Sequence, residues 1–310
     1  MSEHAATMGI LGAGFSGSQI AQRALAGGYA AWGTSRSVEK LKPLERQGLS
    51  PVEFDGATIT DGLRAKLAHT THLIVSIAPP REEGETGRAV DPFLRALSGA
   101  GFDALMAAAP KLRFVCYLST VGVYGNYDGA WIDEEADCRP SSARSRQRLR
   151  AEDEWLQACK AAALPLAIFR LSGIYGPGRN ALLSAENGKA RRLIKEGQVF
   201  NRIHVEDIAS ATLKAAQLCR GGVFNITDDE PAPPQDVVLY AHDLLGLTPP
   251  PEIAFETAEL SPMARSFYGE NKRVSNQKSK TEMGLHYDYP NYRAALTRMH
   301  RAQTWRAGDA

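Results

Sequence analysis

A short apolar run, Met8-Gly9-Ile10-Leu11, leads straight into Gly12-Ala13-Gly14-Phe15-Ser16-Gly17. Glycines at 12, 14 and 17, set between a strand-like run and an Ala-rich helical stretch, constrain this chain more than any other feature. Gly12 permits a turn too tight for a side chain, Gly14 lets the backbone approach a bound group, and Gly17 lets the helix pack closely on the strand. The helix, expected over 18–26, aims unpaired N–H groups and the positive end of its dipole at whatever lies above the turn. An anion, and a pyrophosphate in particular, satisfies both. Gly12, Gly14, Phe15, Ser16 and Gly17 are therefore the first candidate binding residues.

Strand-like and helical patterns then alternate. Apolar runs fall at 8–11, 30–34, 51–54, 72–77, 114–118 and 166–171, with helical stretches at 18–26, 38–47, 60–68, 92–109 and 146–163. Alternation of this kind predicts an α/β protein, a Rossmann-like doubly wound parallel sheet with helices on both faces. The runs are largely apolar, as expected of strands covered on both faces. A turn-rich segment, 173–178, leaves the sixth strand, and a basic, polar stretch continues to residue 200. A helix at 205–218 and a strand at 222–226 return to the earlier pattern. The cluster Pro231-Ala232-Pro233-Pro234 marks a boundary, followed by a helix at 235–245 and a polar C-terminal region expected to fray beyond about residue 300. The expected division is a dinucleotide-binding domain over 1–172, a substrate-side insertion over 173–200, a return to the first domain over 201–228 and a smaller, substrate-covering C-terminal region over 229–310.

The second strand ends at Thr34-Ser35-Arg36-Ser37. A site for NAD(H) places Asp or Glu here to bond the adenosine ribose, whereas a guanidinium and hydroxyls suit a 2′-phosphate. No acid occurs before Glu39. Thr34, Ser35 and Arg36 thus point to NADP(H) ahead of NAD(H).

Charge narrows the partners. Lys and Arg number 36 against 35 Asp and Glu, a net charge of +1, which gives no support for nucleic-acid or membrane-surface binding. Cys116, Cys138, Cys159 and Cys219 are too far apart for a zinc or redox pair, so no metal is expected, and the reducing cytoplasm is the expected location. His69 and His72 have no acid or cysteine cluster near them in sequence and read as structural. The N-terminal residues lack the pattern of a secretory leader.

Several segments, in order, resemble the extended short-chain dehydrogenases/reductases of the NAD(P)-dependent epimerase/dehydratase group. They are Gly14-Phe15-Ser16-Gly17, Leu118-Ser119-Thr120-Val121-Gly122-Val123-Tyr124-Gly125, Phe169-Arg170-Leu171-Ser172-Gly173-Ile174-Tyr175-Gly176-Pro177-Gly178, Asn201-Arg202-Ile203-His204-Val205-Glu206-Asp207-Ile208-Ala209 and Val223-Phe224-Asn225-Ile226. The resemblance implies that Thr120, at the end of the fifth strand, bonds the reacting oxygen of the substrate, with Ser119 one register away. It places Asp55 near the adenine and Ser76, Ala78 and Pro79 under the cofactor. The loop 79–87 either folds over the nicotinamide or is a solvated connection.

Two departures stand out. The family's first turn glycine falls on Leu11, so Gly12 supplies the older dinucleotide spacing. The family's Tyr-x-x-x-Lys couple falls on Arg144 and Arg148, which share a helix face four residues apart. Arg148 retains the capacity to bond the nicotinamide ribose. Arg144 does not give up a proton near neutral pH, so it suits the role of a clamp on an oxyanion or a substrate anion rather than that of an acid. Other proton donors in the matching segments are Tyr124, Tyr175 and His204. A literal Tyr268-x-x-x-Lys272 lies far beyond the last strand, in the region that covers the substrate in relatives. Arg179, Tyr268 and Lys272, with Arg191 and Arg192, are the candidate substrate contacts.

The resulting expectation is an NAD(P)-dependent oxidoreductase or epimerase/dehydratase-like enzyme, with Thr120, Arg144, Arg148 and Tyr124 as candidate catalytic groups. Its substrate would be a small, polar, anionic metabolite such as a nucleotide-sugar, and it would act as a monomer or homodimer. The alternative is a catalytically silent NADPH-binding sensor or scaffold that has kept the cofactor site and lost the tyrosine.

Overall fold

Seven strands form one sheet: β1 (Thr7–Leu11), β2 (Ala30–Ser35), β3 (Ser50–Glu53), β4 (His72–Val75), β5 (Phe114–Thr120), β6 (Leu166–Leu171) and β7 (Gly222–Ile226). Their order across the sheet is β3-β2-β1-β4-β5-β6-β7. β1 pairs in parallel with both β2 and β4, β2 with β3, and β4 with β5. Strand order thus reverses beside β1, the point at which open α/β sheets bind ligands. These facts come from a computed structural model, which describes residues 6–80, 89–97 and 103–307.

Helices connect the strands as the alternation predicts: α1 (Phe15–Ala26), α2 (Leu41–Arg46), α3 (Asp61–Leu67), α4 (Pro92–Leu97), α5 (Asp103–Ala108) and α6 (Ala143–Ala161). Further along come α7 (Ala181–Glu186), α8 (Val205–Leu218), α9 (Pro234–Leu245), α10 (Pro262–Phe267), α11 (Gln277–Met283) and α12 (Tyr292–Ala302). The starts of α1 and α6 differ from expectation in ways that bear on the site. α1 begins at Phe15 rather than Ser18, so Phe15, Ser16 and Gly17 are its first turn. α6 begins at Ala143 rather than residue 146, because Ser142 caps it by accepting the N–H of Ser145 at 3.1 Å. The expected helix 92–109 is described as α4 and α5.

The chain divides into two compact units. One comprises Met1–Val123, Pro140–Arg170 and Ile208–Phe224; the other comprises Tyr124–Arg139, Leu171–Asp207 and Asn225–Ala310. The core of the first gathers Leu11, Trp32, Leu73, Val75, Tyr117 and Trp155. Trp155 of α6 stacks on Phe93 with ring centroids 6.2 Å apart and lies 6.4 Å from Tyr117. Gly9 exists to admit Trp32: a Cβ at Gly9 would stand 2.4 Å from the indole, whose Nε1 donates to Thr70 Oγ1 at 2.9 Å.

In the second unit, Tyr175, Leu182, Val237, Tyr292, Leu296 and Trp305 form one core. The polar stretch up to residue 200 holds more structure than its composition suggests. Arg192–Ile194 pairs in parallel with Glu252–Ala254, and Gly173–Tyr175 with Arg202–His204. The expected fraying beyond residue 300 does not extend to 303–307. Trp305 is only 3% exposed, and its carbonyl accepts Gly178 N and Asn180 Nδ2.

Candidate functional site

The three turn glycines are required for three different reasons. Gly12 has φ of 92°, in the left-handed region, and a Cβ there would stand 2.9 Å from the Ile77 side chain. Gly17 sits in α1 against the turn, where a Cβ would lie 2.1 Å from the Gly12 carbonyl oxygen. Gly14 is different. Its φ of −86° is open to any residue, and a Cβ there would meet no atom of the described residues within 4 Å. Among the described residues, neither strain nor packing asks for glycine at 14. No side chain caps α1, which begins at the next residue. A helix start with no side-chain cap, beside a glycine with open space at its Cβ position, is the arrangement a dinucleotide pyrophosphate fits.

The end of β2 divides the candidate phosphate ligands. Thr34 is buried, and its Oγ1 accepts the Gly12 N–H at 2.8 Å while its carbonyl accepts Ala13 N at 2.8 Å. This threonine shapes the glycine turn. Ser35 Oγ accepts the Ser37 N–H at 3.2 Å. Arg36 is exposed and has no hydrogen-bond or ion-pair partner among the described residues. Asp55 is also exposed. One of its oxygens accepts the N–H groups of Ala57 and Thr58 at 2.7 and 2.8 Å, and these bonds hold its carboxyl below the usual range. Ser76 continues β4 alongside β1, its N–H donating to Leu11 at 2.8 Å, and Ala78 beyond it is exposed.

At the end of β5, Thr120 is half-buried, with Oγ1 accepting the Gly122 N–H at 3.1 Å. Gly122 lies between two hydroxyls: a Cβ there would stand 2.9 Å from Ser145 Oγ and 3.4 Å from Thr120 Oγ1. Ser145 is buried in the first turn of α6 and accepts the hydroxyl of Ser142 at 2.9 Å. Sequence reasoning passed over Ser145, although the Ser-x-x-Ser spacing at 142–145 is a helix-start signal. Arg144, beside it, is exposed. One turn on, Arg148 Nη1 donates to Leu118 O at 2.9 Å, Tyr117 Oη at 3.1 Å and Ile77 O at 3.4 Å. Arg148 thereby ties the ends of β4 and β5 to α6. One further turn on, buried Glu152 accepts the Ser119 hydroxyl and pairs with Arg170 Nη2 at 2.8 Å. Ser119 is thus committed to a buried network, which leaves Thr120 as the half-exposed hydroxyl of the two.

In the second unit, several candidates have their polar groups already engaged. Tyr124 is buried and donates to Asn225 Oδ1 at 2.8 Å. Lys272 is buried, with Nζ 2.6 Å from Gly125 O and 2.7 Å from Glu270 Oε2; burial lowers its pKa. Tyr268 does not meet Lys272: its ring packs on Phe200 and Phe255, with centroids 5.2 and 5.0 Å away. Arg191 donates to Glu259 O, and Arg192 pairs with Glu252 at 2.7 Å. Arg179 is exposed. Tyr175 is buried, which raises its pKa. His204 is fully buried and stacked on Tyr289 with centroids 3.6 Å apart; burial lowers its pKa to about 3, so the ring stays neutral.

The loop 79–87 falls largely outside the described residues. Among the described residues, no group of three or more His, Cys, Asp or Glu is placed to hold a metal ion, and no helix is long and apolar enough to cross a membrane.

The sheet order and the glycine turn define a Rossmann-type, dinucleotide-binding protein. The model of the NAD dependent epimerase/dehydratase family matches residues 9–227, and the chain belongs to that family of NAD(P)-binding enzymes. It is similar to a conserved protein of unknown function from Silicibacter pomeroyi DSS, with 42% identity, 96% of this chain and 99% of that one covered, and a TM-score of 0.83. It shares the fold of the UDP-N-acetylglucosamine 4-epimerase from Bacillus cereus at 16% identity, with 96% and 99% coverage and a TM-score of 0.74. A stretch of 144 residues is 26% identical to a 3-diazoavenalumate denitrifying reductase from a Streptomyces species; it spans 42% of this chain and 46% of that protein.

Proposed function

We propose that this protein is an NADP(H)-preferring oxidoreductase or epimerase/dehydratase-like enzyme whose substrate is a small, polar, anionic metabolite such as a nucleotide-sugar. The observation that carries the reading is Gly14, a glycine that nothing among the described residues requires. It sits at the start of α1, where no side chain caps the helix, in a chain of a family built on NAD(P). A reductase among the relatives and a fold shared with a UDP-sugar epimerase support the reaction class.

When bound, a nicotinamide dinucleotide supplies or takes up a hydride at a carbon bearing a hydroxyl or carbonyl. The chain's own residues then have distinct tasks. The start of α1 and the backbone at Gly14 hold the pyrophosphate, and Arg36 with Ser35 receives the ribose 2′-phosphate. Thr120 bonds the reacting oxygen. Arg148 shapes the strand ends beside the ribose. Arg144 grips an anionic group of the substrate or a developing oxyanion, a role that needs no proton transfer.

The test is NADPH oxidation across a panel of anionic carbonyl compounds and nucleotide-sugars, with cofactor affinity measured in parallel. Loss of a preorganised donor of this kind costs about two to three orders of magnitude in turnover. Arg144→Ala should therefore abolish turnover and leave NADPH affinity nearly intact. Normal turnover by Arg144→Ala would overturn the clamp. Tight NADPH binding with no turnover across a broad panel would favour a cofactor sensor instead.

A further inference from the structure

The last helix builds a groove of its own, wholly within the second unit. Asn291 caps α12 by accepting the Ala294 N–H at 2.9 Å. Along one flank of the helix, Arg293, Thr297 and Arg301 recur at four-residue steps, with Arg298 beside them. Ala294 and Ala302 keep the floor low, and Tyr240 of α9 forms the facing wall of a groove of about 740 Å³.

Its chemistry is one-sided. Among the described residues no carboxylate lines it. Among the described residues Arg301 has no hydrogen-bond or ion-pair partner; Arg298 lies over the ring of Tyr289, 4.8 Å from its guanidinium carbon, and its charge also acts on His204. Arg293 stacks on Tyr292 at 4.5 Å and pairs with Glu230, and Asp236 also acts on it from α9. Tyr240 and Thr297 share one hydrogen bond of 2.7 Å. Two hydroxyls joined by one bond leave one O–H for a ligand acceptor. The whole chain carries a net charge of only +1, so three guanidinium groups in one groove are a local concentration rather than general basicity.

We propose that this groove is an anion site for an oligophosphate, inorganic or carried by a nucleotide, held chiefly by Arg298 and Arg301 with the free hydroxyl of the Tyr240–Thr297 pair. Guanidinium groups grip phosphate in forks, and with three of them in one groove an anionic ligand is favoured over a neutral one. Arg293 and Arg301 are eight residues apart, about 12 Å along the helix axis. That length suits a chain of phosphates better than a single one.

The experiment is calorimetric titration of the full chain with tripolyphosphate, ATP and, at matched ionic strength, sulfate. Tripolyphosphate should bind at least about tenfold more tightly than sulfate, and Arg298→Ala with Arg301→Ala should weaken it by about tenfold or more. Glu230→Gln, which frees Arg293, should tighten it. Binding should persist in Gly14→Val, in which the glycine turn is obstructed. Equal affinity for tripolyphosphate and ATP assigns the site to the phosphates alone; tighter ATP binding assigns it to a nucleotide. The proposal fails if sulfate binds as tightly as tripolyphosphate, if the double variant binds like the parent, or if Gly14→Val abolishes binding. The last result would place the anion at the dinucleotide turn.

Discussion

The guanidinium of Arg148 donates to the phenol of Tyr117 at 3.1 Å and lies 5.5 Å from its ring, joining α6 to β5. With Leu118 O and Ile77 O, this makes three acceptors for one nitrogen. Arg148→Ala should leave these groups unpaired and cost about 1–3 kcal/mol of stability. NADPH affinity should fall with it, because the strand ends under the cofactor lose their tie. Arg148→Lys, a point charge without the fork, should recover only part of both. Thermal unfolding and cofactor titration read the two effects separately; unchanged values in both would remove Arg148 from the site.

Gly14 and Gly17 should respond in opposite ways. Gly14→Val places its side chain in open space, so the protein should fold normally and lose cofactor binding. Gly17→Ala drives a methyl group into the Gly12 carbonyl and should cost about 1–3 kcal/mol through overpacking. Chemical denaturation of both variants, with NADPH titration of Gly14→Val, checks the pair. A folded Gly14→Val that still binds NADPH would move the dinucleotide elsewhere.

Arg36 is the exposed guanidinium at the end of β2. NADPH should bind more tightly than NADH, and Arg36→Asp should reverse or erase a preference of about tenfold or more. Equal affinities in the unmodified protein would contradict this assignment.

Glu152 and Arg170 form a buried ion pair, with side chains 4% and 8% exposed. Glu152→Ala removes the carboxylate that pairs with the buried Arg170 charge and should cost about 3–5 kcal/mol. Glu152→Gln retains an acceptor for Ser119 and should cost less. Urea unfolding measures both; a loss below about 1 kcal/mol in the alanine variant would show that Arg170 finds another partner.

Asp91 is fully buried, accepts Phe93 N and Leu94 N at 2.9 and 3.1 Å, and is pushed up by burial to about 6. An acid whose pKa is higher in the folded state holds its proton there longer than in the unfolded chain. Between the ordinary carboxylate value and about 6, the native state therefore binds more protons, and this group's contribution to stability declines as pH rises through that window. Asp91→Asn keeps an oxygen for both N–H groups and removes the titration. The variant's stability should vary less with pH across that interval; an identical pH profile would exclude Asp91 as its source.

Much of the first unit was legible in one dimension. The strand at 166–171 and the helix at 205–218 agree with the structure residue for residue, because continuous apolar runs and helical periodicity are local signals. Helix starts were less legible. α1 begins three residues early, since Gly17 inside a helix only makes sense once Gly12 is seen against it. The roles of Thr34, Tyr124 and Lys272 were also obscure. A hydroxyl or ammonium reads as a ligand in sequence until a distant carbonyl or N–H is found to hold it. Ser145 and Tyr117 were overlooked for the same reason: their partners come from other elements.

The sequence by itself determined the sheet class, the glycine turn and the family. Each is written in the order and spacing of residues along the chain. Only the tertiary structure decided which polar groups remain available. Gly14, Arg36 and Thr120 present open or half-open faces, whereas Ser119, Tyr124 and Lys272 are consumed by buried hydrogen bonds. The physical reason is that a buried polar group must find a partner. That partner lies up to 147 residues away along the chain, as between Lys272 and Gly125, a distance across which no local pattern carries information.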